Sequence, residues 1–501
     1  MIMTRYTLFL TFSLLSLLAS AQSKHEVRAA WISTAYGLDW PTVRAVGASG
    51  VERQKRELTD YLDLLQAARF NTVLLQVRLR GDVLYPSALE PFSDVLTGRT
   101  GANPGYDPLA FAIEECHKRG MECHAWMVAI PLGGRKQVAA LGTRSVTRKR
   151  KEICVTFRGD HYLNPGHPDT KEYLFDLARE VVSRYDVDGV QFDYLRYPEN
   201  GRSFPDRKEF RRYGRGRSLE QWRRDNLTET LRYIYKGIKA LKPWVKVSVC
   251  PVGKADDTSR YPSRGWNAYG TVNQDTQAWL SEGIVDQLYP MMYFQGNNFY
   301  PFALDWQEQS HGRQIVPGLG IYFLHPREGN WKRDEVERQI HFIRRHGLAG
   351  EAFYRMRFLA DEDTQGLYPE LERHFYTYPA LQPPMTWMDS LPPTAPTMPS
   401  ATENIHGYVE LSWQPSTDND TRNAPTYVVY ASNELPVDIT RTENIVATGI
   451  QGTTYVYAPI YPWERRKHFA VTAVDRYGNE SQPASVGHTI DEGDGNHADG
   501  T

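Results

Sequence analysis

The feature that most constrains the fold of this chain is a regular alternation of apolar and amphipathic segments between residues 26 and 378. Longer segments with apolar residues at helical spacing are found at 51–69, 107–119, 169–185, 218–241, 334–346 and 364–376. Short runs rich in Val, Ile, Leu and aromatic residues, typical of buried strands, lie at 26–34, 71–79, 122–130, 188–194, 246–252, 285–293, 314–322 and 350–356. This alternation predicts an α/β fold, a (β/α)8 barrel of the TIM type over residues 24–378.

An open doubly wound sheet also alternates strands and helices, and it is the competing prediction. Its usual nucleotide-binding sequence, Gly-x-Gly-x-x-Gly after the first strand, is absent here. A barrel collects its functional residues at the carboxyl ends of its strands. The connections at 80–106 and 130–163 follow two such ends, and they are long enough to wall a cleft.

The first 21 residues have the pattern of an export signal. Arg5 precedes an apolar run from Tyr6 to Leu18, and Ala19-Ser20-Ala21 has the small-x-small form of a signal-peptidase site. The run is too short to span a bilayer comfortably, and no Cys near the cleavage site could carry a lipid anchor. We therefore predict a signal peptide over 1–21 and a secreted or periplasmic mature protein with no membrane-spanning segment.

After residue 378 the composition changes. Recurrent prolines predict a stiff linker over 379–394, and short alternating strands at 407–413, 426–430 and 468–475 predict a small all-β sandwich over 395–490. The runs Leu411-Ser412-Trp413 and 470–479 (AVTAVDRYGN) resemble strands of fibronectin type III domains. The tail 491–501 is polar and is predicted to be disordered.

Charge and cysteine content narrow the class of protein. With 58 Lys and Arg against 60 Asp and Glu, the chain has no overall attraction for nucleic acid. The basic run 144–151 is interpreted as a solvated loop face, with an anionic glycan as the functional alternative. Four scattered cysteines form neither a disulfide framework nor a zinc pattern, which predicts free thiols. The 30 Tyr and 12 Trp are compatible with a carbohydrate-binding protein, whose clefts use flat aromatic faces.

The fourth predicted strand ends at Asp193, which is the main catalytic candidate. A carboxylate at the mouth of a barrel, followed by Tyr194 and Arg196, is chemistry suited to a sugar. Glycosidic cleavage normally uses two carboxyl groups, and Asp193 would act as nucleophile or general base. The candidates for the general acid are Asp82 on the loop after strand two, Glu351 in strand eight, and Asp256 or Asp257 after strand five. The competing interpretation of Asp193 is a loop-capping residue.

Binding residues are predicted from polar or aromatic side chains in or near the strands. Charged side chains in apolar strands either bind substrate or pair with a buried acid, and aromatic ones either stack on a sugar or fill the core. The candidates are Arg28, Arg78, His124, Trp126, Asn164, Tyr194, Arg196, Tyr289 and Tyr293. The His residues show no metal-ligand spacing, so neither a metal nor another cofactor is expected. No Gly-x-Ser-x-Gly elbow is present to hold a Ser nucleophile.

Several segments in order resemble the glycosyl-hydrolase-like 10 family of exported bacterial proteins. They are 26–32 (EVRAAWI), 76–78 (QVR), 81–87 (GDVLYPS), 124–126 (HAW), 163–166 (LNPG), 188–198 (DGVQFDYLRYP) and 285–293 (VDQLYPMMY). The resemblance implies a TIM-type barrel related to glycoside hydrolases, and some members cut peptidoglycan strands that have lost their stem peptides. The acidic position on strand four carries over to Asp193. Many relatives have a second acid directly after it, where this chain has Tyr194.

The resulting hypothesis is a secreted glycoside hydrolase whose substrate is a polysaccharide or oligosaccharide, in particular a peptide-free peptidoglycan strand. Two alternatives stay open. One is a catalytically inactive barrel that binds glycan, which the missing second acid would explain. The other is a hydrolase of a different polysaccharide, such as an α-glucan.

Overall fold

The structure is a computed structural model, and it describes residues 22–261, 265–420, 422–459 and 465–487. The predicted signal peptide and the predicted disordered tail lie outside these residues. The chain divides into two compact units between Thr377 and Tyr378. No helix within the described ranges is long and apolar enough to cross a membrane.

The first unit is the predicted (β/α)8 barrel. Its strands pair in parallel and in chain order, and the first strand pairs with the last, with Val27 opposite Gly350. The seventh strand is in two pieces, one paired with the sixth strand and the other with the eighth, so that the sheet closes. The eight barrel strands are Val27–Ile32, Thr72–Arg78, Glu122–Val128, Gly189–Asp193, Lys246–Cys250, Gln287–Leu288, Gln314–Ile315 with Gly318–Leu319, and Gly350–Phe353.

Helices surround the barrel where amphipathic segments were predicted, with two additions. The larger helices are Gly47–Ala67, Pro108–Lys118, Asp169–Arg184, Leu219–Leu241, Arg333–Arg345 and Leu367–Glu370, which continues as a π-helical turn over Leu371–Phe375. The two helices not predicted are Thr276–Ser281 and Tyr300–Glu308, which are too short to show a helical period in the sequence. Shorter helices in the connections are Asp94–Thr97, Arg135–Ala140, Val146–Lys149, Arg207–Tyr213, Ala268–Val272 and Met356–Ala360.

The apolar runs form these strands because the barrel buries both faces of its sheet. Every residue of the first two strands is buried, one face in the barrel interior and the other against the helices. The helix Gly47–Ala67 turns Leu58, Leu62 and Leu65 inward. Local signals set the helix starts: the carboxylate of Asp107 accepts hydrogen bonds from two backbone N–H groups of the next helix, and Pro108 follows it.

The long connection after the third strand carries a small sheet of its own. The strands Pro131–Gly134, Cys154–Phe157 and Asp160–Leu163 pair antiparallel, with the last in the middle. This sheet lies at the carboxyl ends of the barrel strands, in one of the two connections predicted to wall a cleft. The basic run 144–151 lies within the same connection, where Arg150 pairs with Glu152 and Asp169.

The second unit is the predicted all-β sandwich. One sheet contains Thr397–Glu403, Val409–Gln414 and Thr454–Tyr457, and the other contains Ile445–Ile450, Thr426–Ser432, His468–Val474 and Ala484–Gly487. Leu411, Trp413 and Phe469 lie in the core between them. Leu381, in the predicted linker, is buried against Val428 of this unit. The fibronectin type III resemblance stays a prediction.

The four cysteines are free thiols, as predicted. Cys116, Cys123 and Cys250 are buried, and Cys154 is half-buried. Burial raises the pKa of the Cys250 thiol well above its usual value, so this side chain at the end of the fifth strand is a neutral apolar group.

Candidate active site at the barrel mouth

A cleft of about 960 Å³ opens at the carboxyl ends of the barrel strands. Its floor consists of residues near or just beyond the ends of strands one to six and eight. Its walls come from the connections 80–106 and 130–163, as predicted, and also from the connection after the first strand. The residues that matter for its chemistry are Trp31, Gln76, Trp126, Asp193, Tyr293 and Tyr354 on the floor, and Tyr36, Arg44, Arg80, Asp82, Tyr194 and Arg196 around them.

Asp193 is the last residue of the fourth barrel strand and points into this cleft. Side chains two apart on a strand share a face, so Asp193 lies on the inward side with Gln191, which accepts a hydrogen bond from the Trp31 indole N–H at 2.8 Å. One oxygen of the Asp193 carboxyl accepts a hydrogen bond from the Trp126 indole N–H at 3.2 Å, and the other accepts one from the backbone N–H of Tyr194 at 2.7 Å. Tyr194 itself has a left-handed φ of 51°, at the point where the strand gives way to the connection.

The surroundings of Asp193 favour its protonated form. Its side chain is only 6% exposed. Burial raises the pKa of this carboxyl to about 6, against the opposing effects of the Arg196 charge and of the two hydrogen bonds. The sequence suggested a nucleophile or base, but a buried carboxyl with a pKa of about 6 keeps its proton in mildly acidic solution and there is suited to act as a general acid.

Aromatic rings make up most of the floor around this carboxyl group. Tyr293 and Tyr354 stack with ring centres 5.4 Å apart and planes at 24°. The indole of Trp31 meets the ring of Tyr354 edge-on at 6.0 Å. Flat apolar faces of this kind bind the C–H faces of sugar rings, and they also exclude water from the carboxyl group.

Arg196 provides a cation beside Asp193. Its guanidinium lies 4.6 Å above the ring of Tyr194 and 5.8 Å from the ring of Trp266. Its Nη1 is 3.8 Å from Glu199, and no atom of the described chain accepts a hydrogen bond from this nitrogen. Arg196 is therefore held beside Asp193 by aromatic stacking and by its ion pair with Glu199.

Asp82 also lines the cleft, as predicted. One oxygen of its carboxylate accepts a hydrogen bond from the Arg80 backbone N–H at 3.0 Å, and the Ser93 hydroxyl donates another. Burial raises the pKa of Asp82, with smaller contributions from Glu90 and Asp94. Asp82 thus stabilises the turn after the second strand, and it is not among the charges that act on Asp193.

Comparison with known proteins decides the family. The model of the family described as "Glycosyl hydrolase-like 10" matches residues 26–323. These residues contain the whole floor of the cleft except Tyr354. The chain belongs to the glycosyl hydrolase-like 10 family. It is 31% identical over 488 residues to glycosyl hydrolase YngK of Bacillus subtilis, covering 93% of this chain and 94% of YngK. It is 36% identical over 292 residues to glycosyl hydrolase DigH of Escherichia coli K12, covering 54% of this chain and 66% of DigH.

Among solved structures, the chain is similar to the PgaB (BpsB) glycoside hydrolase domain from Bordetella bronchiseptica. The TM-score is 0.47 at 15% identity, over 69% of this chain and 98% of that domain. Family membership and the relatives named glycosyl hydrolase make this protein an enzyme of the glycoside hydrolase type.

Glu351, predicted as a catalytic acid in this glycosyl hydrolase-like barrel, does not line the cleft. It is the second residue of the eighth strand, opposite Arg28, and it lies at the amino end of the barrel. Tyr376 donates a hydrogen bond to it. Burial, followed by the charge of Glu26, raises the pKa of Glu351 to about 8. The structure therefore buries this carboxyl at the amino end of the barrel and does not bring it together with Asp193.

Arg28 and Arg78, predicted to bind substrate, are ion-paired inside the barrel wall. Arg28 donates a hydrogen bond to Glu26 at 2.9 Å, on the amino side of the barrel. Arg78 donates two hydrogen bonds to Glu90, at 2.7 and 2.6 Å, and both side chains are at most 1% exposed. Each arginine neutralises a buried acid and lies outside the cleft, so the structural alternative holds for both.

His124, Asn164 and Tyr289 also lie outside the cleft. The His124 ring contacts Glu122 at 2.9 Å in the lower half of the barrel. The Asn164 side chain accepts a hydrogen bond from the Gly166 N–H at 3.0 Å, in a turn where a Cβ on Gly166 would lie 2.4 Å from Trp222. The Tyr289 hydroxyl donates to Gln287 inside the barrel. All three side chains make contacts within the barrel and its turns. Packing, and not substrate binding, therefore explains why these residues stand in the LNPG and HAW segments.

Three aromatic residues of the cleft were missed. Tyr354 directly follows the eighth strand, so the rule that selected Asp193 also selects Tyr354. Trp31 lies near the end of the first strand and is selected by the same rule. Tyr36 is 67% exposed in a 3-10 turn, and its hydroxyl accepts hydrogen bonds from Arg80 at 2.6 Å and Gln137 at 3.2 Å. No sequence pattern marks Tyr36.

One group of side chains within the described ranges could hold a metal ion. His325, Asp361 and Asp363 each offer a ligand atom, and these atoms lie within 4.8 Å of one another. The group belongs to the connections after strands seven and eight, and none of its members lines the cleft. The floor of the cleft is aromatic and has a single carboxyl group. A metal site needs several ligand side chains, so the described floor does not provide one.

Proposed function

We propose that this protein is an exported glycoside hydrolase that cleaves peptide-free peptidoglycan strands, with Asp193 as the general acid. The observation that carries the proposal is the cleft itself, which places one buried carboxyl group among aromatic faces at the mouth of the barrel. The relatives named glycosyl hydrolase, YngK and DigH, support the reaction type. The export signal predicted over 1–21 would bring the enzyme to the cell wall.

The floor supplies the groups needed to break a glycosidic bond. A sugar ring lying against Trp126 and Tyr293 would place its glycosidic oxygen near Asp193, which donates its proton as the bond breaks. The charge of Arg196 would stabilise the Asp193 carboxylate that is left once the proton has been donated. Because the aromatic rings exclude water, the proton transfer occurs in a site of low dielectric.

Two arginines favour a peptidoglycan strand over a neutral α-glucan. Arg44 and Arg80 line the cleft, and neither has a carboxylate partner within the described part of the chain. The guanidinium of Arg44 lies over the backbone of Gly98, and that of Arg80 lies 5.5 Å from the ring of Tyr36. A strand that has lost its stem peptides carries a free lactyl carboxylate on every MurNAc. These carboxylates are partners for the two guanidinium groups, and a neutral glucan has none.

The substrate can be tested directly. We expect short muropeptide-free sugar fragments when the mature protein is incubated with peptide-free strands, as measured by mass spectrometry. Strands that keep their stem peptides, chitin oligosaccharides and starch form the comparison panel. Release of fragments from starch but not from the strands would overturn the substrate proposal and favour the α-glucan alternative. Binding of strands without any fragments would favour the inactive glycan-binding barrel.

Arg44→Gln tests the recognition of the lactyl carboxylate. We expect the variant to raise KM for peptide-free strands about 5- to 50-fold, because it removes one charge-assisted hydrogen bond. Cleavage of chitin oligosaccharides, which lack the carboxylate, should change by less than about twofold. Initial rates from reducing-end assays give both values.

A matched control for this variant is Arg345→Gln. Arg345 is also exposed, but it lies on the helix Arg333–Arg345 and does not line the cleft. We expect its KM to equal that of the wild type. Equal losses on strands and on chitin oligosaccharides in Arg44→Gln would contradict a role in carboxylate recognition.

A further inference from the structure

The carboxyl groups of the cleft are unequally placed. Within the described chain, three of them are exposed at the rim, Asp82 is half-buried and holds a turn, and Asp193 alone is buried on the floor. The three exposed ones are Asp94, Asp160 and Glu199. The residues of the barrel outside the described ranges, 262–264, are Pro, Ser and Arg, and so add no carboxyl group. The floor therefore has an acid but no carboxylate nucleophile next to it.

The charges that act on Asp193 agree with this placement. A retaining glycosidase places its two carboxyl groups about 5–5.5 Å apart, a separation at which each strongly affects the pKa of the other. After burial, the groups that set the pKa of Asp193 are Arg196, the Tyr194 N–H and the Trp126 N–H, and no carboxylate is among them. The described part of the barrel thus provides no carboxylate nucleophile at the distance that a double displacement requires.

The floor instead has an aromatic pocket with two free hydroxyl groups. The rings of Tyr293 and Tyr354 stack beside Asp193, and neither hydroxyl makes a hydrogen bond to the described part of the chain. Trp31 closes the pocket with its edge toward Tyr354. An acetamido group matches these surroundings, because its methyl group packs on aromatic rings and its amide exchanges hydrogen bonds with phenol hydroxyls.

We propose that the nucleophile of this enzyme is the 2-acetamido group of the substrate sugar, held by Tyr293 and Tyr354. This inference rests on the proposed glycan cleavage. The acetamido carbonyl oxygen attacks C1 and forms a C–O bond, while the bond from C1 to the leaving oxygen breaks. The electron pair of that bond goes to the leaving oxygen, which takes the proton of Asp193. The sugar is left as a cyclic oxazolinium ion.

Water completes the reaction. Its oxygen adds to C1, its proton goes to the Asp193 carboxylate, and the C–O bond of the ring reopens to restore the acetamide. The net reaction is hydrolysis with retention of configuration, and Asp193 ends protonated as it began. The substrate class is thereby restricted to glycans with an N-acetylated amino sugar at the cleavage site, such as GlcNAc or MurNAc, and excludes glucans and de-N-acetylated strands.

The competing mechanism uses Glu199 as a base that activates water. Glu199 is 52% exposed and lies 3.8 Å from the Arg196 guanidinium, which also acts on Asp193. A carboxylate farther from the acid, about 6.5–9.5 Å away, gives inversion of configuration. The two mechanisms therefore differ in the anomer released, in the need for the acetamido group and in the effect of Glu199→Gln.

The test compares peptide-free strands with the same strands after chemical de-N-acetylation. We expect proton NMR to show the retained anomer as the first product, and de-N-acetylation to lower the rate at least about 100-fold. N-acetylglucosamine-thiazoline, a stable analogue of the oxazolinium ion, should bind in calorimetry and compete with the strands. Tyr354→Phe, which removes only a hydroxyl group, should weaken this binding, and Glu199→Gln should cleave at a rate within about threefold of wild type.

Each result distinguishes the inference from the proposed function. An inverted product, or cleavage of de-N-acetylated strands at the full rate, would overturn the acetamido mechanism and leave glycan cleavage established. Loss of activity in Glu199→Gln together with inversion would assign the base to Glu199. If no strand is cleaved, the proposed substrate is wrong. Calorimetry then decides the inference without turnover, because a wild-type protein that does not bind the thiazoline lacks the pocket that the mechanism needs.

Discussion

Asp193→Asn is expected to lower kcat for cleavage of peptide-free glycan strands by about 10²–10⁴-fold, with little change in KM. Asn has the shape of Asp and can still accept the hydrogen bond from Trp126, so the aromatic floor that binds the sugar is preserved. What the variant lacks is the proton for the leaving oxygen. Reducing-end assays on the wild type and the variant, with fragments identified by mass spectrometry, measure this effect. Fragments at the wild-type rate from the variant would remove Asp193 from the mechanism.

The stability of the same variant provides an independent control. Burial holds the pKa of Asp193 at about 6, above the value of 3.8 for an exposed carboxyl. Because the folded protein keeps this proton more tightly than the unfolded chain, the contribution of Asp193 to stability is greatest below pH 4 and is lost as the pH rises through about 6. Asn has no such dependence. The free energy of unfolding of Asp193→Asn, relative to wild type, should therefore rise by about 2.5 kcal/mol between pH 4 and pH 8.

Urea denaturation at the two pH values measures this difference. A variant that has lost activity but shows the expected gain in the free energy of unfolding at pH 8 is folded, and it lacks only the acid group. A variant whose stability relative to wild type is the same at both pH values would contradict a raised pKa of Asp193. It would also remove the reason for calling this residue the acid.

The barrel could be predicted from the sequence because the two signals that indicate its elements, the period of the apolar residues and the local composition, are both local. Period and composition identify the strands and the larger helices, and the carboxyl-end rule selects Asp193 from the fourth strand. Applied to the eighth strand, the same rule selects Tyr354 and rejects Glu351, which lies two residues before the strand end. A glycosidase pattern predicts a carboxyl group at this position, whereas the site contains the hydroxyl group of Tyr354 there.

Which way a side chain points could not be predicted from the sequence. Gln76 lines the cleft, and Arg78 follows it by two residues, so an undisturbed strand would place both on the inner face. The pairing with the third strand shifts between these two residues, from Gln76 opposite Trp126 to Arg78 opposite Met127. This irregularity turns Arg78 into the wall, where Glu90 neutralises it. Neither the shift nor the partner has a signal in the sequence.

Glu90→Gln is expected to destabilise the protein by about 3–5 kcal/mol. Burial by itself would lower the pKa of Arg78, but the charge and hydrogen bonds of Glu90 outweigh it and raise that pKa. The Glu90 carboxylate also accepts a hydrogen bond from the Tyr173 hydroxyl at 2.8 Å, so it joins the second strand to the helix Asp169–Arg184. Gln keeps the size of this side chain but leaves the guanidinium without a counter-charge in a dry site. Urea denaturation at pH 7 measures the loss.

Asp225→Asn is the matched control, because its partner Arg217 lies 2.6 Å away but both side chains are about one-third exposed. Solvent screens this pair, so we expect a loss below about 1 kcal/mol. The KM of Glu90→Gln for glycan is measured at a temperature where this variant is still folded. It should equal that of the wild type, since Arg78 does not reach the cleft. If Glu90→Gln left the stability unchanged and raised the KM, Arg78 would instead be assigned to substrate binding. The pair of variants thus separates an arginine that holds the wall of the barrel from one that binds a glycan.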